Sequence, residues 1–154
     1  MRAWICIILI AMLAGCGAHM QPHLTGLVIP YPTMLALARE TSELTLETAW
    51  CLTGEIKDDS VAVISGISAP LVENRTETSV EFYNCDADNV IGWYHNHPYV
   101  DRDNCFASEI DVYTTNANDQ FLVALIGCNR QSFVYFFQGQ IVQYKILPSH
   151  YLPN

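Results

Sequence analysis

Basic residues are scarce: 7 Lys and Arg stand against 16 Asp and Glu in 154 residues, for a net charge of −9. No run of Lys or Arg exists to track a phosphate backbone, so nucleic acid is not an expected partner. Acidity of this size mainly serves solubility, and it weakly favours neutral or cationic substrates. C-x-x-C spacing is also missing, which argues against a thiolate zinc site or a thioredoxin-like redox pair. Internal repeats and low-complexity segments are lacking as well. What remains is 51% apolar, with 8 Tyr and 6 Phe. That is enough for a real core, and it argues against disorder. The length suits one domain and leaves little room for a second.

The only long apolar run is at the start. Met1-Arg2 supplies a short positive region and Ala3 to Leu13 is almost wholly apolar, too short for a comfortable membrane span. Leu13-Ala14-Gly15-Cys16 then presents small residues before a cysteine, and it resembles the bacterial lipobox. That resemblance implies a signal peptide over residues 1–15 and lipidation at Cys16. A tether would occupy 16–30, followed by a folded domain over 31–154. Gly17 after the cysteine leans, by the same resemblance, toward an outer-membrane anchor facing the periplasm. Cys6 would leave with the leader. Four cysteines remain, Cys51, Cys85, Cys105 and Cys128, and an even number in an oxidising compartment predicts two disulfides with three possible pairings.

Gly17 to Pro32 reads as a tether and an entry segment. Thr33 can cap a helix over about 33–44, with Met34, Leu35, Leu37 and Ala38 on its apolar face. Leu46 to Thr53 and Val61 to Ser68 predict a hairpin about the Lys57 to Ser60 turn. Further strands are expected at 79–83, 90–95, 121–126, 133–137 and 141–146. A second helix should begin at Ser108, after a loop over 98–107. Helix, strands, helix and more strands predict an α/β or α+β layered domain, a mixed sheet flanked by helices.

The chemistry concentrates in Gly92-Trp93-Tyr94-His95-Asn96-His97-Pro98. Alternate side chains of a strand share a face, so His95 and His97 project together at the strand's end. Two imidazoles so placed begin a zinc site, and a third ligand with an open position would make it catalytic. Ser108-Glu109-Ile110-Asp111 would start the second helix, where Ser108 and Asp111 can form a capping box and still face the histidines.

His95-Asn96-His97-Pro98 followed by Ser108-x-x-Asp111 resembles the signature of the JAMM (MPN/JAB) zinc metalloproteases. The upstream glutamate of that signature matches Glu47, in the run Leu46 to Gly54 after the first helix. The resemblance covers about residues 31–146. It implies a cytidine-deaminase-like fold, with zinc held by His95, His97 and Asp111. Glu47 would be the general base and Ser108 an oxyanion donor. The substrate would be a peptide or protein amide or isopeptide bond. Asn96 stands where the family has Ser or Thr, and it should point away from the metal. The thirteen residues between His97 and Asp111 exceed the family's usual spacing.

The rivals are plainer. Glu55, after Gly54, should lie solvated in a turn, and Asp101 and Asp103 lack the Ser-x-x-Asp context. His19, His23 and His150 should be solvated. With Cys105 in the longer loop and Cys85 just before the histidine strand, Cys85–Cys105 is the expected bridge, leaving Cys51–Cys128. Two other function classes remain open: a metal-free MPN-type scaffold module, and a cysteine hydrolase using Cys51 or Cys105.

Overall fold

The structure is a computed structural model, and it describes residues 22–40, 45–83, 85–100, 104–128 and 132–146. Among the described residues nine strands and two helices run in the order β1 (Gly26–Val28), α1 (Tyr31–Glu40), β2 (Ala49–Lys57), β3 (Val61–Ser68), β4 (Val72–Arg75), β5 (Val80–Phe82), β6 (Val90–His97), α2 (Glu109–Ala117), β7 (Val123–Cys128), β8 (Ser132–Phe137) and β9 (Tyr144–Ile146). Seven strands form one sheet in the order β1-β3-β2-β6-β7-β8-β9, and β4 and β5 form a separate hairpin.

The expectation of a helix-flanked α/β layered, cytidine-deaminase-like fold is corrected. Of the described residues 44% are strand and 16% helix, and the large sheet curls into a half-barrel. The physical reason lies in length. Among the described residues the two helices span ten and nine residues, too few to layer a seven-stranded sheet, while consecutive β-branched and aromatic runs pair with one another. A curled sheet encloses much of its own core.

Alternation along the strands separates two apolar clusters, one on each face. Leu52, Ile64, Tyr94, Leu125, Phe133 and Phe137 belong to one, with Leu37 of α1 inserted among them. Cys51, Trp93, Ala124, Ile126, Val134 and Phe136 belong to the other, together with Phe121 and both disulfides. Helix α1 starts at Tyr31 rather than at a Thr33 cap, because the Pro30 carbonyl accepts from Thr33 and Met34. Residues 41–44 of the expected helix lie outside the described residues. The β2–β3 hairpin forms about Asp58 and Asp59, both at positive φ. Strands β1 and β4 fall outside the expected strands.

Strand β6 is fourth of seven, hydrogen-bonded to antiparallel β2 and to parallel β7. A parallel pair needs a crossover, and α2 supplies it. The loop leaving the C-terminal end of β6 therefore delivers the N-terminus of α2 to that same end. Open α/β crossovers generally place ligands there.

The disulfides are Cys51–Cys85 and Cys105–Cys128, not the expected Cys85–Cys105 and Cys51–Cys128. Cys51 pairs in register with Trp93, and Trp93 with Ala124, four residues before Cys128. Two strand spacings and four residues of rise separate Cys51 from Cys128 by roughly 16 Å, beyond the ~7 Å Cα limit of a bridge. Cys105–Cys128 instead ties the loop before Ser108 to the end of β7, where Cys128 is the register partner of His97.

Candidate metal centre

His95 and His97 stand on the face of β6 that also carries Trp93. Their ring centroids are 4.6 Å apart, edge to face, and Trp93 lies 4.9 Å from His95. Glu47 precedes β2 rather than lying inside a strand, because its N–H is donated to the Thr76 carbonyl of the hairpin. Its carboxylate approaches both rings, at 3.6 Å from His95 Nδ1 and 3.8 Å from His97 Nε2. Asp111 approaches from the other side, at 3.1 Å from His95 Nε2 and 3.9 Å from His97 Nε2. Glu47 and Asp111 thus come together with His95 and His97, and Glu47, His95 and Asp111 are buried.

Asp111 is fixed by the capping box. Its Oδ2 accepts from the Ser108 N–H at 2.6 Å, and its own N–H donates to Ser108 Oγ at 3.3 Å. One turn on, the Thr115 hydroxyl donates to the Asp111 carbonyl and accepts from Trp93 Nε1. The helix is braced against β6 through that buried hydroxyl. A cleft of about 680 Å³ opens over the group. Residues 78–83 of the hairpin line it, as do Ser108, the N-cap of α2, and Ile110.

Glu47, His95 and His97 each offer one ligand atom, these atoms lie within 4.8 Å of one another, and the three could hold a metal ion. Neither nitrogen of His95 has an aligned hydrogen-bond partner, although the ring is only 4% exposed. Buried polar atoms are rarely left so, and a metal would satisfy one of them. The two carboxylates meet different nitrogens of His95: Asp111 faces Nε2 and Glu47 faces Nδ1.

Without metal the group orders its protons. Burial is the largest influence on His95 and pushes its pKa down. Contact with Asp111 and Glu47, and their charges, outweigh it and raise the ring to about 9. Burial, then the like charge of His95, holds His97 below its ordinary value. Burial alone would raise the Asp111 carboxyl, but His95 and the Ser108 contacts hold it low. Without metal the proton is therefore held on His95 rather than on His97.

The other expectations resolve unevenly. Glu55 lies in β2 rather than a turn, exposed and paired with Lys57 at 3.2 Å. Cys51 and Cys105 are both bridged, so neither offers the free thiolate a cysteine hydrolase needs. His23 is exposed. Cys16, His19, Asp101, Asp103 and His150 lie outside the described residues. Among the described residues no helix is long and apolar enough to cross a membrane. The hairpin lining of the cleft and the Thr115 brace were not expected from the sequence. Only Thr115's place one turn after Asp111 hinted at the brace. The chain matches no protein-family model and no curated protein sequence.

Proposed function

We propose that this chain is a metal-dependent hydrolase, and more narrowly a zinc-dependent amide or isopeptide hydrolase of the JAMM type. One observation carries the reading. Two imidazoles, one buried with unsatisfied nitrogens, are bracketed by two carboxylates at the floor of an open cleft. Imidazole and carboxylate together suit zinc. Of the two carboxylates, Asp111 is the proposed ligand with His95 and His97, since it faces the Nε2 atoms of both rings. Zinc held there would supply a water acidified toward neutral pH and would polarise the scissile carbonyl.

Glu47 then takes a proton from water as the water oxygen bonds to the carbonyl carbon. Ser108, at the cleft wall, donates its hydroxyl to the oxygen that becomes negative. The C–N bond breaks, and Glu47 returns the proton to the leaving amine. Glu73 and Glu81 also line the cleft, and among the described residues no Lys or Arg does. Glu47 and Asp111 would balance a divalent ion, which leaves Glu73 and Glu81 to give the described part of the wall its acidity. A peptide or protein substrate with cationic residues beside the cleaved bond is favoured. Placement belongs to the proposal too: the Cys16 lipid would anchor the domain to a membrane on the periplasmic side. Two disulfides support an oxidising compartment.

A second reading is a scaffold module without metal. It is favoured by the contact of His95 with Asp111 at 3.1 Å, because a protonated imidazole beside a carboxylate can be a self-sufficient buried ion pair. Elemental analysis of the soluble part from Gly17 onward, beside His97→Ala, separates the two. About one zinc per chain that the variant loses supports the hydrolase. No zinc on purification and none taken up on addition rejects it in favour of the scaffold.

A further inference from the structure

Asn96 lies between the two histidines, and alternation turns its side chain to the opposite face of β6. A residue so placed should be irrelevant to the metal group. Instead it is 4% exposed, and both ends of its carboxamide are engaged. Its Oδ1 accepts from the Thr48 N–H at 2.7 Å, and its Nδ2 donates to the Leu46 carbonyl at 3.4 Å. Only one orientation of the amide satisfies both bonds.

Those two partners are the peptide groups on either side of Glu47. The regular β2–β6 ladder ends at the pair Ala49 and His95. Past that point the Asn96 N–H still donates to the Thr48 carbonyl, at 3.3 Å. The carboxamide then offers one acceptor and one donor, as the next residue of a strand would. It extends the ladder by a side chain, along the segment that carries Glu47. The Glu47 N–H is held separately by the Thr76 carbonyl, at 2.8 Å. Glu47 thus has no secondary structure of its own, yet the Leu46 carbonyl, the Glu47 N–H and the Thr48 N–H each have a partner.

We propose that Asn96 is a positioning residue that sets the Glu47 carboxylate against His95 and His97. The inference rests on the proposed hydrolase for its kinetic consequence but not for its geometry. Ala would release both peptide groups. Asp would keep the acceptor for Thr48 and turn a lone pair toward the Leu46 carbonyl, so it should restore part of the effect. Asn96 touches neither imidazole, so zinc binding through His95, His97 and Asp111 should survive either change. The carboxylate that moves the proton would not keep its place. Misplacement by about 1 Å can cost on the order of a hundredfold.

Two measurements test this on the zinc-loaded soluble chain. In kinetics, Asn96→Ala should lower kcat by roughly ten- to a hundredfold with KM within about twofold, and Asn96→Asp should fall between. Independently of activity, the Thr48 amide should exchange with solvent at least about tenfold faster in Asn96→Ala, and the carboxyl carbon resonance of Glu47 should broaden or split. An unchanged Thr48 amide with a single sharp Glu47 resonance overturns the proposal, as does a kcat within twofold of the parent. Zinc loss from Asn96→Ala equal to that from His97→Ala also overturns it, since Asn96 would then be holding the metal site as a whole. If the parent chain hydrolyses nothing, the hydrolase reading fails, and the two resonances still decide the role of Asn96.

Discussion

Trp93 and Tyr94 are neighbours in β6, but they face opposite sides of the sheet, and what lies beyond each differs in kind. Beyond Tyr94 are Leu52, Leu125, Phe133 and Leu37, an apolar cluster closed by α1. Beyond Trp93 are the His95 ring, the Thr115 hydroxyl and the open cleft. The first face is stabilised by area removed from water, which is non-directional and tolerant in detail. The second holds two carboxylates and two imidazoles within 4 Å contacts, which is directional and costly to leave unpaired. One strand thus serves as core and as site because its alternation keeps the two apart. Substitutions on the Tyr94 face should change stability without chemistry, and those within the group of Glu47, His95, His97 and Asp111 chemistry with little change in stability.

The largest expected effect is on the site face. Glu47→Gln should keep about one zinc per chain and lose kcat by ~10³, within the range ascribed to general acid–base groups. Melting should hardly move, because Gln fills the same space and removes one of two carboxylates beside His95. Loss of zinc together with activity would instead make Glu47 a ligand through His95 Nδ1, the alternative that the geometry of the ring leaves open. Zinc titration of Asp111→Asn beside it completes the distinction, since that variant should lose the metal.

On the core face, Leu125→Ala should destabilise the chain by about 3 kcal/mol, the usual size for a fully buried leucine. The melting midpoint should fall by roughly 10 °C, while kcat at 25 °C and zinc content stay as they were. A fall in kcat to match would mean that the two faces are coupled through β6. The paired change Cys105→Ser with Cys128→Ser should join both effects. Opening a bridge across 23 residues costs about 3 kcal/mol in chain entropy. It also frees the segment that leads to Ser108 and Asp111, so zinc affinity should drop as well as stability. Calorimetry with and without zinc reads both.

The contrast between the faces also explains what the sequence disclosed. His95, His97, Ser108 and Asp111 were legible because a strand's alternation and a helix's capping box are local rules, and each fixes where a few side chains point. Glu47 was legible only through the resemblance. Its placement depends on Thr76 and Asn96, which lie 29 and 49 residues away. Asn96 was read as pointing away from the metal and therefore idle, and alternation alone gives no hint of the peptide groups it meets. The disulfide pairing and the curl of the sheet depend on strand order, which no local pattern contains. The layered α/β expectation failed for the same reason. It weighed the order of elements, whereas the lengths of the helices decided the outcome.

A pH series sharpens the contrast more gently. In the metal-free chain His95 is raised from 6.5 to about 9. A group with a raised pKa contributes stability fully below its unfolded value, and the contribution is lost as pH rises through the folded value. The metal-free melting midpoint should therefore decline between pH 6.5 and 9. Zinc must displace that proton, so apparent zinc affinity should rise about tenfold per pH unit over the same window. A metal-free midpoint that is flat or rising there, or a zinc affinity independent of pH, would show that His95 is not the charged member of the group. Leu125→Ala should keep both slopes and only lower the midpoint.

The smallest expected effect concerns the wall of the cleft. Glu73 and Glu81 are exposed residues of the hairpin, so their pull on a substrate passes largely through water and is weak for each charge. Glu73→Gln with Glu81→Gln should raise KM for a peptide with Lys beside the cleaved bond by about two- to fivefold, within the modest range of exposed charge pairs. A peptide with Ser in that place should hardly respond. The Lys preference of the parent should fade as salt rises toward 1 M, where the screening length shrinks to about 3 Å. A preference that survives both salt and the double substitution would arise from contacts deeper in the cleft. It would then belong with Glu47 and Asp111 rather than with the hairpin, and the division between a dry, directional floor and a wet, long-range wall would have to be redrawn.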